Sequence, residues 1–336
     1  MINKYIINQR KKNIKVAVVI PCYNVKRQII DVLKKIGPEV DKIFVIDDCC
    51  PEQSGEFVKN NYKDKRIVIL KNEINKGVGG AVMRGYAEAC KDGATVIVKV
   101  DGDGQMDPSL IKKFIRPILE GRADYTKGNR FFDLSEIKKM PKIRIFGNAV
   151  LSFMSKLSTG YWNIFDPTNG YTAIHADVAR HLPFDKISNR YFFETDMLFR
   201  LNTLRAKVVD IPMNALYADE ESNLKISRIL GEFLFKHCRN FFKRIFYNYF
   251  LRDLNVASFE LIIGTFFLIF GFSYGVFHWI NSMKRGVITS SGTVMLSALP
   301  IIIGLQFVLN FISYDIYSQP GDILYSDLNG DENEHN

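Results

Sequence analysis

The stretch TVIVKVDGDGQMDP, residues 95–108, decides how the rest of the chain is read. An apolar run ends abruptly in two carboxylates, Asp101 and Asp103, set one residue apart among glycines and followed by Gln105. The run is short and bounded by turn residues, which predicts a buried strand with the acids at its mouth. Two acids this close repel each other unless a cation lies between them. Neighbouring carboxylates suit a hard divalent ion such as Mg²⁺ or Mn²⁺, and an ion with few protein ligands keeps positions open for phosphate oxygens. Taken alone, the same letters also describe a solvated Asp-Gly turn.

Outward from this stretch, strand and helix patterns alternate. Residues 14–20, 42–46, 66–70 and 95–100 have strand character, and 27–36, 52–62 and 77–91 have helical character. The alternation predicts an α/β fold with right-handed crossovers and a mostly parallel, Rossmann-like sheet covered on both faces. In such sheets ligands bind beyond the carboxyl ends of the strands. Those ends here carry PCYN (21–24), DDCC (47–50) and DGDGQ (101–105), so three polar junctions converge on one edge.

The 336 residues are 47% hydrophobic and carry a net charge of +9. That is enough chain for a large core and more than one structural unit. The five cysteines show no metal-type spacing and no workable disulfide framework, which points to a reducing compartment. His175, His181, His237 and His278 are scattered without ligand spacing. The apolar VAVVI near the start is too short for a signal-peptide core and is expected to be the first strand.

The last third differs in composition. Residues 256–280 and 293–316 are apolar runs, each long enough to cross ~30 Å of hydrocarbon, and the short turn between them predicts a transmembrane hairpin. Before it, residues 224–253 interleave Lys225, Arg228, Lys236, Arg239, Lys243, Arg244 and Arg252 with aromatic and aliphatic side chains, the pattern of a helix at a lipid surface. A basic, aromatic-rich segment also suits nucleic acid, but direct attachment to a hairpin favours lipid headgroups, and no nucleic-acid partner is needed for the excess charge. The positive-inside rule then puts the soluble domain in the cytoplasm. The expected organisation is a catalytic domain over 1–222, basic juxtamembrane helices over 223–253, the hairpin over 254–318 and an acidic disordered tail over 319–336.

Seven segments carry a resemblance: VVIPCYN, IDDCC, NKGVGGAVMRGYAEA, DGDGQMDP, GNR, DPTNGY and ETDM. In order and spacing they resemble the family 2 glycosyltransferases with the GT-A fold. With the basic helix and hairpin added, the chain is similar to the branch that glycosylates polyprenyl phosphates. The resemblance, over about residues 14–320, implies that Pro21, Tyr23, Asn24, Asp47 and Asp48 surround the base and ribose of a UDP- or GDP-sugar, with Lys76 near the nucleotide. It implies a metal on Asp101 and Asp103, with Gln105 close behind. Arg130 and Arg144 would meet phosphate groups, DPTNGY (Asp166–Tyr171, with Asn169) and Glu194 with Asp196 would form the acceptor-side wall, and Ser222, Lys225 and Arg228 would meet the phosphate of an undecaprenyl or dolichyl lipid. Association into oligomers is suggested by hairpin-anchored relatives.

There are departures from the pattern. The glutamate expected after PxYN is Val25, and the Gly-Ser after the aspartate pair is Cys49-Cys50. The QxxRW signature of processive synthases is missing, which favours one transfer per acceptor. The glycine-rich helix start at 77–82 has Val82 where a dinucleotide loop needs its third glycine.

Sugar transfer develops negative charge on the leaving diphosphate, which a divalent ion with nearby arginines or lysines stabilises. A lipid monophosphate is already largely anionic near neutrality, with a second pKa of about 6, so no strong base is demanded. Asp196 remains open between a group that deprotonates or orients the acceptor and a structural acid. The implied stereochemistry is inversion. Rival expectations are another lipid or glycan acceptor, a nucleotidyltransferase, or an inactive membrane scaffold.

Overall fold

The computed structural model describes residues 14–132, 142–214 and 226–328. The chain divides into two compact units, Met1–Phe241 with Pro320–Asn336, and Phe242–Gln319. The first holds a seven-stranded sheet: β1 (Val16–Cys22), β2 (Lys42–Asp47), β3 (Ile67–Lys71), β4 (Val96–Lys99), β5 (Tyr125–Asn129), β6 (Thr172–His175) and β7 (Val208–Pro212). Their order is β3-β2-β1-β4-β6-β5-β7. Strand β6 runs antiparallel to β4 and β5, and the remaining pairings are parallel. The mostly parallel α/β sheet is thus borne out, with one reversed strand inserted beside the acid pair.

Both faces of the sheet are covered. Val19, Ile97 and Ile174 lie under α3 (Gly77–Lys91) and α7 (Phe193–Leu204), whereas the alternate residues Val18, Val98 and Ala173 face α1 (Ile29–Lys34) and α4 (Ile111–Leu119). Burial on both sides explains why these strands are continuous apolar runs without in-out alternation. Strand β1 extends past the expected 14–20 because Pro21 and Cys22 keep register with Ile46 and Asp47. That carries PCYN level with the end of β2. Helix α2 (Ser54–Asn61) makes the β2–β3 crossover, α5 (Lys142–Thr159) follows β5, and α6 (Ala176–Arg180) follows β6.

Part of the juxtamembrane segment belongs to this unit. Helix α8 (Ile226–Phe246) begins within it: Ser158 Oγ lies 2.8 Å from His237 Nδ1, and the rings of Phe192 and Phe233 meet edge-on. Leu234, Phe235, Phe242 and Phe246 on this helix are exposed. The tail also departs from expectation. Residues 324–328 form helix α11 (Leu324–Leu328), whose Tyr325 stacks on His175 at 3.9 Å and donates to the Ile118 carbonyl at 2.9 Å. The backbone N–H groups of Leu324 and Tyr325 donate to the buried Asp124 carboxylate. Residues 329–336 lie outside those described.

The second unit contains α9 (Val256–Arg285) and α10 (Ser291–Tyr317), both long and apolar enough to cross a membrane. Asn255 and Ser290 cap their N-termini through side-chain oxygens. The two helices pack as an antiparallel pair at Gly264 and Gly304, where an added Cβ on Gly264 would come within 3.0 Å of the Gly304 carbonyl oxygen. Arg244, expected to face headgroups, is instead buried in this unit, with its guanidinium 2.5 and 3.0 Å from the two Asp315 oxygens. Tyr249 donates to the same carboxylate at 2.6 Å. A buried arginine is tolerable because its charge is met in this two-point fashion.

Candidate active site

Strands β1, β2 and β4 end side by side, which brings three of the sequence-predicted clusters to one edge. Strand β4 stops at Lys99, and the chain turns through Asp101-Gly102-Asp103-Gly104, with Gly104 at φ +81°. Gly102 is pressed onto Val25, Ile29 and Ile20, so the turn is seated on the core. Asp103 Oδ1 accepts the Gln105 N–H at 3.0 Å, and the Asp101 N–H meets Met106 Sδ at 3.3 Å. Both carboxylates remain partly exposed.

The Asp101 carboxylate has a partner that the sequence reading missed. Lys99 is 1% exposed, and its Nζ lies 2.7 Å from Asp101 Oδ1 and 2.9 Å from Oδ2. Residues facing each other across strands share a sheet face. Thr172 of β6 pairs with Lys99 on one side and with Lys127 of β5 on the other, so the two lysines project from the same face. Lys127 is fully buried and donates to the Asn169 carbonyl. Burial pulls its pKa down to about 8, against the opposing field of Glu194 and Asp166.

Glu194, in the first turn of α7, completes this floor. Burial pushes its carboxyl up to about 7, while Lys99 and Lys127 pull it down. Asp210, beside Asn129, is raised to about 6 by burial. The signal that could have exposed the cluster is a lysine in each of two otherwise apolar or neutral strands, VIVK and YTKGN.

Asp196 sits elsewhere. It is wholly buried: Ser188 N–H and Oγ donate to one of its oxygens at 2.9 and 3.2 Å, and Asn240 Nδ2 donates to the other at 3.0 Å. Both of its oxygens are thus engaged within the fold. Asp47 and Asp48, expected beside the nucleoside, are also tied into the chain. Asp47 accepts the N–H groups of Cys50 and Gly55 at 2.8 and 2.7 Å. Asp48 accepts Asn72 Nδ2, the Lys76 N–H and the Gly77 N–H at 2.6, 2.9 and 2.7 Å, which fixes the start of α3. An acid at a helix N-terminus is favoured by the unpaired amides there.

Other predicted residues are placed as follows. Tyr23 is 45% exposed beyond β1, and Asn24 adopts φ +57° with its N–H on Cys50 Sγ. Pro21 is buried, Gln105 is exposed, and Lys76 is exposed beside a cleft of about 650 Å³ shared with Arg84 and Arg190. Arg130 clamps the buried Asp166 with Nε and Nη2 at 2.7 and 3.0 Å. Asn169 is buried, with Oδ1 on the Tyr171 N–H. Ser222 and Lys225 lie outside the described residues, and for Arg144 and Arg228 only a helical backbone is described.

Among the described residues, no group of three His, Cys, Asp or Glu side chains is placed to hold a metal ion. The Asp101–Asp103 pair supplies hard oxygen donors on a turn open to solvent, so it fits Mg²⁺ or Mn²⁺ provided that the rest of the shell comes from substrate oxygens and water. When bound there, such an ion would neutralise charge on a leaving diphosphate.

Acids gathered at the carboxyl ends of a mostly parallel sheet, one strand of it reversed, define a Rossmann-like GT-A fold. Residues 17–182 match Glycosyl transferase family 2; the chain carries this family's domain and is a glycosyltransferase. It is 28% identical over 215 residues to the UDP-N-acetylglucosamine–dolichyl-phosphate N-acetylglucosaminyltransferase of Methanococcus voltae, covering 60% of this chain and 85% of that one. It is 26% identical over 223 residues to the undecaprenyl-phosphate mannosyltransferase of Micrococcus luteus, covering 65% and 90%. Among solved structures, glucosyl-3-phosphoglycerate synthase from Mycobacterium tuberculosis, in complex with Mn²⁺, UDP and glucosyl-3-phosphoglycerate, aligns with a TM-score of 0.52 at 16% identity, over 71% of this chain and 82% of that one.

Proposed function

We propose that this glycosyltransferase transfers one sugar, with inversion, from a UDP- or GDP-sugar to undecaprenyl or dolichyl phosphate at the cytoplasmic membrane face. The observation that carries the proposal is an acid pair at the carboxyl edge of the sheet, with buried ammonium groups beside it, in a chain that also holds two helices long enough to cross a membrane. The names of the similar methanogen and Micrococcus enzymes support a polyprenyl-phosphate acceptor, and the Mn²⁺ and UDP of the mycobacterial structure support a metal-bound nucleotide donor.

In this proposal Asp101 and Asp103 hold the divalent ion, while Pro21, Tyr23, Asn24, Lys76 and Gln105 border the nucleoside diphosphate. Arg130 and Arg144 meet phosphate oxygens, and Ser222, Lys225 and Arg228 meet the lipid phosphate. The acceptor attacks as a phosphate oxyanion, so its nucleophile needs no deprotonation. That fits an Asp196 whose two oxygens are already engaged. The apolar helices and the exposed aromatic side chains of α8 hold the enzyme at the bilayer where the acceptor resides.

Membranes containing the protein, given a panel of radiolabelled UDP- and GDP-sugars with Mn²⁺ and either lipid phosphate, should make one label soluble in organic solvent. Label recovered only in water-soluble or polymeric glycan would overturn the acceptor assignment.

A further inference from the structure

The proposed metal site contains a resident cation. Lys99 is buried against Asp101 and faces both of its oxygens, at 2.7 and 2.9 Å, and its ammonium lies 5.5 Å from the Phe193 ring centre. The geometry depends on Gly170, which follows Asn169 in the loop before β6. A Cβ there would collide with Lys99 Nζ and come within 3.0 Å of Asp101 Oδ2. The chain thus leaves room for this ammonium to reach this carboxylate.

Resting on the metal assignment above, we infer that Lys99 is a positioning residue that makes cation capture conditional on the nucleotide. With Lys99 in contact, Asp101 is neutralised before any divalent ion arrives, and an incoming ion meets a fixed positive charge within a few ångströms of its ligand. Glu194 also faces the field of Lys99, but among the described residues no group of three His, Cys, Asp or Glu side chains is placed to hold the ion by itself. A nucleoside diphosphate brings two or three negative charges and further oxygen ligands, enough to hold the ion while Asp101 is shared between it and Lys99. The free site would then hold Mn²⁺ weakly, and ion and nucleotide would bind as a unit. By linkage, the ion must tighten nucleotide binding by the same factor.

The test is Mn²⁺ binding itself, followed by isothermal titration and by manganese electron spin resonance on the full-length protein in detergent. Mn²⁺ is titrated alone and with saturating UDP or GDP. For the wild type, the nucleotide should tighten Mn²⁺ binding at least tenfold. Lys99→Met should bind Mn²⁺ alone at least fivefold more tightly than wild type, with a correspondingly smaller effect of nucleotide. Gly170→Ala keeps the charge but pushes the ammonium off Asp101, and only flexible side-chain ends need move to fit it. It should shift Mn²⁺ affinity in the same direction, and it keeps the question answerable if the lysine variant does not fold. Unchanged or weaker Mn²⁺ binding in the folded variants would overturn the role of Lys99 while leaving the metal site standing. A wild type that binds no Mn²⁺ even with nucleotide would remove both.

Discussion

The chain carries two pairs of close aspartates, at the ends of the two strands that flank β1, and they do different things. Asp47 and Asp48 follow β2 and are 2% and 3% exposed, with their oxygens taken up by backbone amides and Asn72. Asp101 and Asp103 follow β4 and stay partly exposed, one beside a lysine ammonium and the other accepting a local N–H. The first pair holds loops in place; the second is left accessible to a ligand. What separates them is the supply of amide donors nearby, since the turn at 50–55 and the start of α3 saturate the first pair.

The contrast yields two expectations. Asp103→Ala should lower sugar transfer by roughly 10³-fold or more, because charge stabilisation at the leaving group is lost, while the thermal midpoint stays within about 2 °C. A large drop in the midpoint would make this acid structural like its neighbours. Asp48→Ala should act on stability, since two backbone amides and the Asn72 side chain lose their acceptor. A cost of roughly 2–4 kcal/mol is expected, read as an earlier denaturant midpoint, with Asp48→Asn recovering part of it. An unchanged midpoint would erase the distinction between the pairs.

The smallest effect concerns a buried group that belongs to neither pair. Burial lowers the pKa of His237 from 6.5 to about 4. A folded-state pKa below the unfolded one gives stability that is whole above pH 6.5 and lost as pH falls toward 4. His237→Gln should therefore flatten part of the acid limb when thermal midpoints of the two proteins are compared between pH 7 and 4.5. Parallel curves would show that His237 does not titrate in that window.

Much of the architecture was legible because it depends on local pattern. The apolar runs at β1, β2 and β4 are buried on both faces and read directly as inner strands, and the two long apolar segments read as helices that could span a bilayer. The acid pair was legible as chemistry, but not its counter-ion. Lys99 and Lys127 are 28 positions apart, and only the reversed β6, unmarked in the sequence, brings them to one face through Thr172. Backbone amides are equally invisible in a sequence, so the hydrogen bonds that engage Asp47 and Asp48 within the fold could not be read from it. The short helix at 324–328 was not legible because ILYSDL, flanked by acids, is too short to show a helical period; Tyr325 finds its order by stacking on His175.

That terminal clasp has a consequence for biogenesis. Asp124 and His175 are translated long before Tyr325, and the whole apolar hairpin emerges between them. The two apolar helices leave the ribosome before Tyr325 does, so a nascent protein stalled before residue 320 would leave Asp124 and His175 without the contacts that residues 324 and 325 bring.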